Sequence, residues 1–245
     1  MAEHGRRWRE IAAEDPDWVV LSLDRGKHGG WTDEELLATG RDAASALLDA
    51  ATRHAGELGR ELAVDVGCGV GRLTAALADR FNRVVGIDVT PLMLQRARTL
   101  VPAERVSFVL ADITTEEVPG ATEADLVITE RVLQHLPPAT LAPHLKALVG
   151  LLRPGGVAVV RVPVRLPWVV RLEPRRRLYD LLRRVGVPPR VLYWRLGLHP
   201  MPMHTVPPEL VARAVAGVAE VVGIELQHEP AFGVDEAILV FRRNA

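Results

Sequence analysis

Residues 63–74 read AVDVGCGVGRLT, and this stretch restricts the fold of the chain more than any other. Ala63, Val64 and Val66 form the short apolar run that a strand needs when both faces of a parallel sheet are covered. Gly67, Gly69 and Gly71 then fall on alternate positions, where the backbone can take positive φ and approach a ligand without Cβ atoms in the way. Leu73, Ala76 and Leu77 follow at helical spacing, so a helix begins behind the glycines with its N-terminus facing them. The unit predicted is strand, glycine loop and helix, built to hold a polar ligand.

The glycine spacing narrows the ligand. A dinucleotide fingerprint G-x-G-x-x-G starting at Gly67 would place its last glycine at position 72, which is Arg72. The pattern here is Asp65-x-Gly67-x-Gly69-x-Gly71. A second apolar strand, residues 83–87, runs into Asp88, and a third, residues 106–110, runs into Ala111-Asp112-Ile113. Three strand tips therefore carry acids, and a carboxylate at the second tip matches the two adjacent hydroxyls of a ribose.

In these blocks the chain resembles the class I S-adenosylmethionine-dependent methyltransferases. The residues that carry the resemblance are VDVGCGVGRLT at 64–74, VVGIDVT at 84–90, LADI at 110–113, ADLVITERVLQHLP at 124–137 and LLRPGG at 151–156, in the family's order and spacing. The alternative is a doubly wound domain that binds NAD or nothing, for which the third glycine is misplaced. The resemblance implies a Rossmann-like α/β fold: a seven-stranded, mostly parallel sheet with helices on both faces. It also implies N-terminal helices and a helical lid inserted between strand five and the last core helix. The expected parts are an N-terminal cap (1–60), a cofactor-binding core (61–164), an Arg- and aromatic-rich lid (165–205) and a closing helix and edge hairpin (206–245).

The resemblance further implies S-adenosyl-L-methionine as cofactor. Gly67, Cys68, Gly69 and Gly71 would form its loop, and Asp65 would orient that loop or accept from the cofactor's amino group. Asp88, followed by Val89, would hold the ribose, Asp112 and Ile113 would bracket the adenine edge, and Met93 would pack on the adenine or simply in the core. Arg41, in Thr39-Gly40-Arg41, would pair the methionine carboxylate, the plain alternative being a helix break with a solvated arginine. The fourth strand leads to Glu130 and His135, beside the sulfonium and the acceptor in this family. His135 is the candidate general base because imidazole titrates near neutral pH, and Glu130 would touch cofactor or acceptor. His199 and His204 are alternative bases, and His144 flanks an apolar stripe as a surface histidine. With an acid, His199 or His204 could also belong to a metal site, but no metal-ligand spacing supports this strongly and no metal is assigned.

Composition sets outer limits. A formal net charge of −1 over 245 residues does not suggest a polyanion partner, and no stable nucleic-acid complex is expected. Cys68 is the sole cysteine, which excludes an intrachain disulfide and suits a reducing compartment. No long apolar run or signal core is present, so a cytoplasmic protein is expected.

Before the first core strand, residues 11–17 look like a short helix and residues 18–23 like a brief apolar run, followed by a loop at 27–31. Thr32 can cap a helix with Glu35 as its box partner, with a break near Gly40 and a second helix from Asp42. After the glycine core, a helix from Thr140, a strand at 157–162, a helix at 207–222 and strands at 224–228 and 237–241 complete the pattern. Between residues 161 and 195 stand ten arginines against Glu173 and Asp180, interleaved with Trp168, Tyr179, Tyr193 and Trp194. Such a segment suits an anionic or sugar-like acceptor, a membrane surface or nucleic acid, or is an amphipathic helical pair with its arginines in water. The function expected is O-methylation of a small-molecule hydroxyl in a saccharide, glycolipid or specialised metabolite. Alternatives are N- or C-methylation, RNA methylation and a non-methylating protein that binds the same cofactor. A homodimer and a peripheral membrane contact are left open.

Overall fold

The computed structural model describes residues 2–17, 30–101, 104–230 and 233–245. Seven strands form one sheet: β1 (Leu62–Val66), β2 (Arg83–Asp88), β3 (Val106–Leu110), β4 (Ala124–Glu130), β5 (Leu152–Arg165), β6 (Ala219–Glu229) and β7 (Val234–Arg243). Their order is β3-β2-β1-β4-β5-β7-β6, with β1 to β5 parallel and β7 antiparallel to both of its neighbours. Every residue of β1 is buried, as its apolar run predicted. The chain order reverses at β1, between β2 and β4, and ligands of open α/β sheets bind at the carboxyl edge of such a switch point.

The sheet has helices on both faces because alternate strand residues are apolar on both sides. Leu126 and Ile128 pack with Leu47, Ala51 and Leu77 from α2 (Asp33–Ala55) and α3 (Arg72–Ala78). Val127, between them, faces the other side with Leu145 of α5 (Leu141–Gly150) and Val211 of α9 (Pro208–Val215). A third apolar cluster joins Ile11 of α1 (Ala2–Ala12) to Trp31, Leu36, Tyr193, and to Met93 and Leu100 of α4 (Pro91–Leu100).

Several local expectations are corrected. The first helix spans Ala2–Ala12 rather than residues 11–17, because Ile11 and Ala12 are buried at its end and the chain turns immediately after them. The apolar run at 18–23 and most of the loop at 27–31 lie outside the described residues. Thr32 and Glu35 do form the capping box, with Glu35 N donating to Thr32 Oγ1 at 3.2 Å and Thr32 N to Glu35 Oε2 at 3.0 Å. Gly40, however, does not break the helix that follows: α2 runs through it to Ala55. Its glycine serves contact, since a Cβ there would lie 2.1 Å from the carbonyl oxygen of Arg72. The helix expected at 207–222 ends at Val215, and β6 starts at Ala219, because Val221 pairs with Phe241 of β7. Strand β5 is longer than 157–162 and includes the Pro154-Gly155-Gly156 segment at a register shift against β4.

After β5 the chain makes three short helices, α6 (Trp168–Arg171), α7 (Pro174–Arg184) and α8 (Pro189–Trp194). They lean on the N-terminal segment: Tyr193 Oη donates to Asp15 Oδ2 at 3.0 Å, Trp194 Nε1 to Glu14 at 2.8 Å, and Arg183 pairs with Glu10 at 2.9 Å. The return segment is pinned over the core by His204 N to the Gln134 carbonyl and Val206 N to the Pro163 carbonyl, each 2.8 Å. Among the described residues no helix is long and apolar enough to cross a membrane.

Candidate active site

A cavity of about 810 Å³ opens at the carboxyl edge of β1, β2 and β4 and is covered by α1 and by the segment after β5. Gly67 and Gly69 line it with φ of 77° and 55°, in the left-handed region that glycine enters without strain. Gly67 has a second reason to be glycine: a Cβ would come within 2.3 Å of Val132 in the loop after β4. Gly71 has φ 83° but lies beneath the loop against Phe108 and is not part of the cavity wall.

The three strand-tip acids meet here. Asp88 accepts from Gly69 N at 3.0 Å and from Thr90 N at 2.8 Å, so it ties the glycine loop to the end of β2. Burial raises its carboxyl above the usual value against the pull of these backbone donors. Asp65 is buried at the end of β1, accepts from Thr74 Oγ1 at 2.6 Å, and is pushed up to about 6 by burial, partly countered by the Thr74 hydroxyl and the Arg72 charge. Asp112 accepts from Thr114 N at 3.0 Å and Thr114 Oγ1 at 2.6 Å, a turn that presents it to the cavity next to Ile113. Cys68, Val89 and Met93 also line the wall. Burial, with the nearby Asp88 and Asp65 charges, raises the Cys68 thiol well above its ordinary value, so it sits there as a neutral group.

Two expectations change. Arg41 is exposed on α2 and lies outside the cavity wall, because the helix does not break at Gly40 and carries it outward. An arginine that does enter the cleft is Arg72, 4% exposed, donating Nη1 to the Thr39 carbonyl at 3.2 Å and paired through Nη2 with Glu130 Oε2. Glu130 is in turn held at 2.8 Å by Arg161, its register partner on β5. Burial alone would raise the Glu130 carboxyl, but the Arg72, Arg161 and Arg131 charges outweigh it and hold it below the usual range. A carboxylate clamped by two guanidinium groups is a poor proton acceptor, so its place is structural and electrostatic. The sequence held one clue to Arg72. A cation in the first turn of a helix opposes the macrodipole, and burying it there requires an acid from elsewhere.

Arg131, absent from the sequence-level candidates, lines the cavity at the end of β4. It takes φ 56°, an uncommon conformation for a residue with a side chain, and is fixed by Glu236 at 3.0 Å and Glu229 at 2.9 Å from the closing hairpin. His135 also lines the cavity, with Nδ1 2.7 Å from the Pro202 carbonyl and its ring edge-on to Trp8 at 5.3 Å. A carbonyl only accepts, so in the neutral ring the proton is on Nδ1 and the basic lone pair is on Nε2. His199 reaches the cavity and His204 does not. His144 is not a surface residue: it is 7% exposed on α5 at the cavity wall, neither ring nitrogen has a hydrogen-bond partner, and burial lowers its pKa.

Fold and cleft together have the architecture of a Rossmann-like class I methyltransferase domain, and the core of the chain is similar in sequence to methyltransferases. Residues 63–156 match the family model described as a methyltransferase domain. Trans-aconitate 2-methyltransferase of Methylobacterium radiotolerans is 43% identical over 148 residues, 56% of this chain and 52% of that protein. The chain spans about half the length of the curated relatives it matches. Two solved structures share the fold. Magnesium protoporphyrin IX methyltransferase of Synechocystis PCC 6803, with bound S-adenosylhomocysteine, has TM-score 0.65 and 17% identity, covering 99% of each chain. The N-methyltransferase NodS of Bradyrhizobium japonicum, with the same ligand, has TM-score 0.59 and 21% identity over 94% of this chain and all of the other.

Proposed function

We propose that the protein transfers a methyl group from S-adenosylmethionine to an oxygen of a small molecule, and that this oxygen belongs to a carboxylate. The observation that carries the reading is the cavity at the end of β4, walled by Arg131 and His135 and partly covered by α1 and the pinned return segment. A partly covered cavity of about 810 Å³ suits a small acceptor better than a polynucleotide. Arg9 and Arg175 stand at its rim, exposed, and among the described residues neither has an acidic partner, which gives an anionic acceptor a positive approach. The relatives named trans-aconitate 2-methyltransferase point the same way.

The cleft suits the cofactor: Gly67 and Gly69 line it with positive φ, and the strand-tip acids Asp65, Asp88 and Asp112 border the same cavity. Asp88 would hold the ribose, Asp112 and Ile113 the adenine edge, Met93 the adenine face, Asp65 the amino group and Arg72 the carboxylate of the methionine end. When bound, the cofactor supplies an electrophilic methyl on a sulfonium whose departure needs no acid. What remains for the chain is positioning: aligning the acceptor oxygen, excluding water, and balancing charge at the end of β4. A carboxylate acceptor is already ionised and needs no base. A second reading, a hydroxyl acceptor such as a sugar or specialised metabolite, rests on His135, whose Nδ1 anchor directs the basic lone pair to Nε2.

The test is methyl transfer from labelled S-adenosylmethionine to a panel of small di- and tricarboxylic acids and of saccharides, followed by mild alkali. Label that is released as methanol identifies an ester and the carboxylate reading. Alkali-stable label that disappears in His135→Ala identifies a hydroxyl acceptor. Label found only in RNA overturns both.

A further inference from the structure

We infer that the outer face of α6 and α7 is a docking surface for an anionic lipid bilayer. Of the twelve exposed large apolar side chains among the described residues, seven lie between Trp168 and Leu196. Leu178, Leu181 and Val185 are 45%, 56% and 70% exposed and follow one another at i, i+3 and i+7, so they form a single stripe on the solvent side of α7 and its C-cap. Trp168 at 72% and Leu172 at 51%, four residues apart, add a second exposed pair on the preceding turn.

The opposite face of α7 is already satisfied. Arg176 pairs with Glu173 and Asp180, Arg183 pairs with Glu10, and Tyr179 is buried at 3%. The outward stripe is therefore not a helix turned the wrong way but the remaining face of one packed correctly. Its flanks are cationic: Arg177 and Arg184 are exposed beside Leu181, and among the described residues neither has an ion-pair partner. Apolar side chains at mid-stripe, guanidinium groups at its edge and an exposed indole are the arrangement that seats a helix in the headgroup layer of an acidic membrane. A protein surface with the opposite pattern would need acids around an apolar groove, and a second copy of this face would set arginine against arginine. Charge complementarity therefore selects anionic lipid. The inference does not depend on the acceptor assigned above.

The experiment is flotation of the full chain with vesicles of phosphatidylcholine alone and of phosphatidylcholine mixed with phosphatidylserine, at low and high salt. The wild type should float with the mixed vesicles at low salt and much less with neutral ones or at high salt. Each Arg→Glu change at Arg177 or Arg184 should weaken partition at least about fivefold, the factor equivalent to about 1 kcal/mol per lost cation. Leu181→Asp should abolish flotation while leaving the circular dichroism spectrum and thermal midpoint nearly unchanged, since Leu181 is 56% exposed and belongs to none of the apolar core clusters. Absence of flotation with folded wild-type protein overturns the inference, as does undiminished flotation of Leu181→Asp. A concentration-dependent dimer that Leu181→Asp dissolves, without lipid binding, overturns it too and assigns the face to self-association.

Discussion

Replacing Asp65 with Asn should make the protein more stable at neutral pH, although Asp65 is one of the residues nearest the glycine turn. Its carboxyl is buried at the end of β1, and burial raises it from 3.8 to about 6. Thr74 and Arg72 pull it down, and the Glu130 and Asp88 charges push it further up. Because the folded value exceeds the unfolded one, the folded state holds the proton more tightly between the two values. Stability therefore falls as pH rises from about 4 to about 6, and above that range the ionised, buried carboxylate is a standing cost. At about 1.4 kcal/mol per pH unit, that displacement is worth about 3 kcal/mol. Asn carries no charge and can still accept from Thr74 Oγ1, which lies 2.6 Å from Asp65 Oδ2. Urea unfolding of both proteins near pH 4 and pH 7 should show the Asn variant ahead by up to about 3 kcal/mol at the higher pH and nearly level at the lower one. The comparison between the two pH values removes effects common to every other titrating group. An equal gain at both would mean that shape and not charge is responsible. A loss at pH 7 would mean that the Arg72 attraction outweighs burial, and the reasoning would be refuted. The stabilised variant should bind S-adenosylhomocysteine more weakly, a trade of function for stability.

Other perturbations separate the roles of the remaining groups. Asp88→Ala should weaken S-adenosylhomocysteine binding by about 1–3 kcal/mol in calorimetry, the worth of charge-assisted hydrogen bonds, and unchanged affinity would remove it from the ribose site. Glu130→Ala leaves Arg72 and Arg161 buried without their shared carboxylate and should cost about 3–5 kcal/mol in chemical denaturation. Gly40→Ala places a methyl 2.1 Å from the Arg72 carbonyl oxygen, so α2 and α3 must part, and thermal unfolding should register a loss of at least about 2 kcal/mol. His144→Leu removes two buried ring nitrogens that have no partner and should raise stability by about 1 kcal/mol, where a clear loss would reveal a hydrogen bond made through water.

The sequence by itself determined the sheet and one half of the cleft. Alternating and continuous apolar runs mark strands, and the glycine turn with Asp65, Asp88 and Asp112 at three strand tips marks one wall of the cavity, because each is a local pattern with a fixed period or spacing. The tertiary structure decided everything that depends on which distant groups meet. Gly40 reads as a helix break until the Arg72 carbonyl is seen against it, and only a continuous α2 explains why Arg41 points to solvent. Glu130 reads as a group that touches cofactor or acceptor until β5 sets Arg161 beside it and the helix start brings in Arg72. Burial of His144 and exposure of Leu181 likewise follow from which face of a helix finds a partner. Periodicity reports that a helix has two faces, but packing alone chooses the buried one, because the free energy of burial belongs to the pair of surfaces and not to either sequence.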